Sequence, residues 1–233
     1  MSKILSVIIP TYNEASNIGR LLGCINELSY LNNQAIEVIV VDGGSTDKTV
    51  EVASSFSRVI VRHSQKGRAK QLNLGARNAV GEILYFLHCD SVPPKHFDYV
   101  ILKAINEGAD AGCFRLKFDK FHLLTFISCF FTRFNFPVCR GGDQSLFIQK
   151  KLFNYLGGYN ESYQIYEDND LTDRICKKFN FRVLPFYIRT SSRRFKTNGY
   201  FKLMYHFSVI HFKKNVLKSS PENLYQYYLK SIK

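Results

Sequence analysis

No Cys-x-x-Cys pair occurs among the six cysteines, Cys24, Cys89, Cys113, Cys129, Cys139 and Cys176, and they form no cluster of zinc-like spacing. That excludes a metal knuckle or a disulfide framework and reads as reduced thiols in a cytosolic protein. Long apolar runs are also missing. The aromatic stretch Phe121–Thr132 is broken by Arg133 and falls short of the ~20 residues a spanning helix needs. Ile4–Ile9 is too short for a signal-peptide core and stops at Pro10, so it reads as a first strand. There is no GxxxxGK[ST] loop and no GxGxxG after the first strand, which sets aside the P-loop and the dinucleotide fingerprint. Acids are scarce as well. Lys and Arg total 32 against 19 Asp and Glu, a formal net charge of +13, which points to anionic partners: phosphates, nucleic acid or acidic lipid headgroups.

What is present is a series of strand ends. In EVIVVDGGSTDKT, Ile36, Val38, Ile39, Val40 and Val41 form a β-branched block, apolar on both faces and too short for a helix, so it reads as a buried parallel strand. Asp42 ends it. Gly43 and Gly44 permit a tight turn, and Ser45 or Thr46 is positioned to cap the helix that follows. Upstream, Ile4–Ile9 ends in PTYNE, where Glu14 opens an amphipathic helix with Ile18, Leu21, Leu22 and Ile25 on one face. A third strand, Arg58–Arg62, leads to a helix faced by Ala69, Leu72, Ala76 and Ala79, with Lys66, Arg68 and Lys70 around its first turn. Cations there are unfavourable unless something negative answers them, which suggests a bound anion near Arg68. A fourth strand, Ile83–Leu87, ends in His88, Cys89 and Asp90. Polar clusters at three strand ends on one edge describe a single crevice. With no P-loop, nucleotide binding through acids and a divalent metal remains, and His88 with Asp90 are candidates to hold that cation.

Further on, Ala111–Leu116 reads as a strand, Phe121–Phe136 as an aromatic helix or loop and Leu146–Ile148 as a short strand. Gly141 and Gly142 before Asp143 allow the backbone to approach a ligand. In YEDNDLTDR, Asp168 or Asn169 is a good helix N-cap, Leu171 and Ile175 give the buried face, and Glu167 and Asp168 sit at the helix mouth. The tail from Arg193 is basic and aromatic, with Tyr205–Leu217 as a helix suited either to packing on the domain or to an anionic membrane surface. No RNA or DNA module accompanies the charge, so no nucleic acid is expected.

In their order, VIIPTYNE, VVDGGSTDKT, the Asp90 strand end, GGY and YEDNDLTDR closely resemble family-2 glycosyltransferases of the GT-A fold, over roughly residues 4–195. The LHCDS segment at Leu87–Ser91, Gly142–Gln144, Gly157–Tyr159 and Thr190–Arg194 resemble the radical-SAM/selenodomain-associated branch of that family. The resemblance implies an α/β fold: a Rossmann-like, mostly parallel sheet flanked by helices, as a GT-A domain over residues 1–195 with a basic aromatic helical extension over 196–233. It implies an inverting, metal-assisted transferase moving a sugar from a nucleotide-diphosphate donor, a UDP-sugar first, to a hydroxyl acceptor. Thr11, Glu14 and Asp42 would contact the nucleoside and Arg68 would lie near the base or diphosphate. Gly44, Gly142, Asp143 and Glu167 complete the substrate-binding set, Asp90 would hold the metal and Asp168 would be the catalytic base. Where most of the family has Asp-x-Asp this chain has His88-Cys89-Asp90, which favours Mn²⁺ over Mg²⁺. The same departure keeps a second class open, a non-catalytic nucleotide-sugar binder or membrane-associated partner protein. The expected location is cytoplasmic, peripheral at the inner face of the membrane.

Overall fold

Strands that are apolar on both faces need helices on both faces, and that requirement organises the chain. The computed structural model describes residues 4–31, 35–136 and 139–232; residues 137–138 and Lys233, which belong to segments read above, lie outside the described residues. The elements run β1 (Leu5–Thr11), α1 (Ala15–Leu28), β2 (Ile36–Asp42), α2 (Thr49–Ser54), β3 (Val59–His63), α3 (Arg68–Asn78), β4 (Ile83–Phe86), β5 (Ser91–Val92) and α4 (Phe97–Asn106). They continue with β6 (Ala111–Phe118), α5 (Leu123–Phe131), a 3₁₀ turn at Gly142–Gln144, β7 (Leu146–Gln149), α6 (Lys150–Tyr155), α7 (Glu167–Cys176), β8 (Phe181–Thr190), α8 (Arg193–Asn198), α9 (Tyr200–Asn215) and α10 (Pro221–Ser231).

Among the described residues one eight-stranded sheet holds the strands in the order β3-β2-β1-β4-β7-β6-β8-β5. β1 pairs in parallel with β2 and β4, and β2 with β3; β7 is antiparallel to both its neighbours and β5 to β8. Alternation along β1 sends Leu5, Val7 and Ile9 to a core with α1, α2 and α4, while Ile8 joins the opposite core under α3, α6 and α7. The expected faces of α1 (Ile18, Leu21, Leu22, Ile25) and α3 (Ala69, Leu72, Ala76) are all buried.

A third cluster joins the C-terminal helices to the domain. Leu203, Ile210, Leu224 and Ile232 pack with Tyr163, Tyr166 and Phe195. The basic aromatic extension thus has a packed face as well as a solvated one, and α8 runs across residue 195. Among the described residues no helix is long and apolar enough to cross a membrane.

Candidate active site

The ends of β1 and β2 form a corner whose polar groups are satisfied by one another. Thr11 and Asp42 lie side by side in register, each only 2% exposed. Asp42 Oδ2 accepts the Gly44 and Ser45 amides, both at 2.9 Å, and Oδ1 accepts the Ser45 hydroxyl and, at 3.4 Å, that of Thr11. Gly44 sits at φ +89°, a conformation that costs glycine least. Beneath the corner the Gln71 amide donates to Thr11 O and Val41 O, both at 2.8 Å. Ser45 and Thr46 do not cap α2 as the sequence suggested. Asn13 claims them, its amide donating to Ser45 Oγ at 2.9 Å and its Oδ1 accepting the Thr46 amide at 2.8 Å. The helix starts later, where Asp47 Oδ1 accepts the Thr49 amide at 3.0 Å.

Glu14 links this corner to the far end of the chain. Its Oε2 accepts from Asn17 at 2.6 Å, and its Oε1 pairs with Arg193 at 3.0 Å, across 179 positions.

The second half of the crevice is a charge cluster. Arg68 Nη1 at the start of α3 lies 3.1 Å from Glu167 Oε1 and 3.6 Å from Asp168 Oδ2 in the first turn of α7. The protein's own carboxylates thus answer the charge at that cationic helix start. Lys66 lies over the Tyr12 ring and Lys70 donates to Gln65. His88 is turned so that Nδ1 lies 3.5 Å from Asp143 Oδ1 and Nε2 3.8 Å from Asp168 Oδ2. In this structure both ring nitrogens of His88, a candidate cation ligand by sequence, face carboxylates. Burial and Arg68 work against a charged ring, yet Asp143 and Asp168 outweigh them and its pKa is raised. Burial would raise the Asp143 carboxyl, and the facing His88 brings it below its ordinary value. Glu167 is 1% exposed, and burial raises its pKa despite Arg68; among the described residues its Oε2 has no hydrogen-bond partner.

Gly142 is the spacer that lets these groups meet. A Cβ there would lie 1.9 Å from Asp168 Oδ2 and 2.8 Å from the His88 ring. The backbone at Gly142 approaches Asp168 and His88 closely. Asp168 is not the N-cap of α7. Tyr166 is, at φ +74°, and places Asp168 inside the first turn, where the helix dipole favours its negative charge. Tyr166 belongs to the third core cluster, and its hydroxyl accepts from Asn215 of α9 at 3.1 Å. The extension therefore braces the residue that starts the Asp168 helix. Asn13, Ser145 and Tyr166, all left-handed without being glycine, border this crevice, as backbone strain tends to do at functional sites.

Sequence reasoning missed Gln71, Asn73 and the role of Arg193. Asn73 pins the GGY turn by accepting the Tyr159 amide and donating to Tyr159 O and Glu161, each at 2.9 Å. An Asn and a Gln inside a helical apolar pattern were the available signal; nothing local marks Arg193 as the partner of Glu14.

Asp90 stands beside this cluster. Burial, then the Asp143 carboxylate and Glu14, raise its carboxyl, and it accepts a long 3.5 Å contact from Ser91. Among the described residues no three His, Cys, Asp or Glu side chains are arranged to hold a metal ion. The donor set fits a hard cation that takes one carboxylate from the protein and the rest of its oxygens from a diphosphate and water. A cleft of about 660 Å³ lies elsewhere, lined by Asn73, Arg77, Gly158 and Arg174, behind the GGY turn. Of the residues read from sequence, Arg68, His88, Asp143, Gly142, Glu167 and Asp168 come together, with Asp90 beside them, and Thr11, Glu14, Asp42 and Gly44 make the adjoining corner.

The family model described as "Glycosyl transferase family 2" matches residues 6–159. Glycosyltransferase AglE of Haloferax volcanii is 39% identical over 95 residues, 38% of this chain and 31% of that protein. The probable glycosyltransferase YdaM of Bacillus subtilis is 29% identical over 207 residues, 78% of this chain and 49% of that one. The chain thus spans from about a third to a half of the length of these relatives. A mannosyltransferase from Pyrobaculum calidifontis, solved with GDP-Man and Mn²⁺, superposes with TM-score 0.71 at 21% identity, covering 98% of this chain and 70% of its own. S. aureus TarS with UDP gives 0.67 at 18%, covering 97% and 70%. The fold is that of GT-A glycosyltransferases, and the chain belongs to glycosyl transferase family 2.

Proposed function

We propose that the chain transfers a sugar from a nucleotide-diphosphate donor, a UDP-sugar first, to a hydroxyl acceptor with inversion at the anomeric carbon. The observation that carries this is the placement of Asp168: a carboxylate in the first turn of a helix, braced by Arg68 and His88 and packed against Gly142. As the acceptor oxygen bonds to the anomeric carbon, its proton passes to Asp168 and the bond to the diphosphate breaks on the opposite face. His88 and Arg68 position that carboxylate. The corner of Thr11, Asp42 and Gly44 receives the nucleoside, with Glu14 beside it. Asp90, with His88 beside it, would hold a divalent cation, Mn²⁺ or Mg²⁺, which would supply positive charge for the leaving diphosphate. Relatives of the fold solved with UDP, UDP-GlcNAc, and GDP-Man with Mn²⁺ support this donor class and metal.

The LHCDS, GDQ and TSSRR segments support the radical-SAM-associated branch. A stretch without any acid from Arg174 to Pro221 supports an anionic membrane surface as a further partner, with a peripheral cytoplasmic location.

The test is Asp168→Asn, which keeps size and polarity but cannot take the proton. Sugar transfer should fall by at least about a hundredfold, while the melting temperature and the nucleotide-induced thermal shift stay as in the parent. Turnover near the parent rate would sink the assignment. Equal nucleotide affinity with Mn²⁺ and with chelator would remove the metal from it.

A further inference from the structure

Helix α5 is built inside out. Its small and polar side faces the domain: Thr125 is buried, Cys129 packs on the core, and the buried Thr132 that follows accepts the Leu116 amide at 3.1 Å. The opposite stripe carries Leu123, Phe126, Ile127, Phe130 and Phe131, the spacing of a single helical face. Every one is exposed, from 42% at Phe130 to 61% at Leu123. Phe121 and Phe136 extend the surface at either end, exposed by 79% and 61%. Rings touch from Phe121 to Phe126 and among Phe130, Phe131 and Phe134. A helix packed on a domain normally turns such a stripe inward, so this much contiguous aromatic surface marks a contact surface.

Charge says what covers it. From Lys120 to Gly142 the sequence has no Asp or Glu. Lys117 and Lys120 are exposed nearby, and the Arg133 guanidinium lies 3.7 Å over the Phe130 ring. Helix α9 packs beside α5, with Tyr200 stacked on His122 at 3.6 Å, and adds the exposed Phe201 and Tyr205. An apolar face rimmed by cations matches a bilayer with anionic headgroups, which offers both apolar depth and negative charge. A second copy would set one basic rim against another.

We infer that α5 docks in the interface of an anionic membrane, its aromatic stripe toward the acyl chains and its lysines and arginines at the phosphates. β6 runs parallel to β4 through the antiparallel β7, so α5, which follows β6, lies at the sheet edge that holds the crevice. The same connection continues into Gly142 and Asp143. The inference rests on the anionic-surface part of the proposed function and is independent of sugar transfer: an inactive enzyme would still dock.

The full chain is sedimented with vesicles of phosphatidylcholine alone or mixed with phosphatidylglycerol. Binding to the anionic vesicles is expected, and Phe126→Ser with Phe130→Ser should weaken it at least about tenfold at an unchanged melting temperature. The sequence contains no Trp, so Phe126→Trp is a sole reporter. Its emission should shift to shorter wavelength with anionic vesicles, while Val80→Trp, 65% exposed just before β4 at the opposite sheet edge, should not shift. Equal binding by the serine variant, no shift at position 126, or equal shifts at both positions would overturn the inference. So would a chain that ignores vesicles but dimerises through this face, becoming monomeric when the two phenylalanines are replaced.

Discussion

The corner at β1 and β2 and the cluster around Asp168 share one sheet edge but are held in different ways. In the corner Asp42 accepts from donors a few residues away and from Thr11 on the adjoining strand, so local hydrogen bonds hold its geometry. The cluster draws side chains from four separate segments, brings four carboxylates, Asp90 among them, near one arginine and one histidine, and among the described residues leaves Glu167 Oε2 without a partner. A self-satisfied corner suits recognition of a constant part, such as a nucleoside. An incompletely balanced cluster suits a site where charge moves.

The largest effect that separates the two is expected from Gly142→Ala. The added methyl would force Asp168 and His88 apart, so transfer should drop about a hundredfold or more while the nucleotide-induced thermal shift persists. Unchanged kcat would show that the cluster needs no such close packing. Next is Asn73→Ala, which strips the GGY turn of three hydrogen bonds, two of them buried, and should cost about 2–3 kcal/mol in urea unfolding. A loss under 0.5 kcal/mol, roughly the size of an ordinary surface change, would mean that the turn holds itself.

A smaller effect depends on pH. The folded-state pKa of Glu167 is raised above its ordinary 4.5, so its contribution to stability is fully present below that value and is lost as pH rises through the raised one. Glu167→Gln should therefore gain in melting temperature relative to the parent between mildly acidic and neutral pH; a constant difference would refute the raised pKa. Smallest is Arg193→Ala. Its pair with Glu14 is 56% exposed on the arginine side, so unfolding stability should change by less than about 1 kcal/mol. A larger loss would show that the pair closes the crevice rather than decorating it.

Local chemistry was legible in the sequence wherever neighbours in the chain are neighbours in space. The block Ile36–Val41, the stripe of α1 and the turn at Gly44 each depend on periodicity or on one residue's backbone freedom, and all three stand as read. The helix starts were less legible. Ser45, Thr46 and Asp168 are all good caps in isolation, but Asn13 holds the first two and Asp168 is drawn into the first turn of α7 beside Arg68 and His88.

By itself the sequence determined six of the strands, though not β5 or β8, the edge on which the polar ends of the first four collect, and the family, because β-branched runs, glycines and short motifs act over a few residues. Only the tertiary structure decided that His88 faces two carboxylates, that Glu14 meets Arg193 and that the extension braces Tyr166. It also decided that α5 turns its apolar stripe outward. A helical period records which residues share a face; which way that face points depends on what the rest of the chain packs against it.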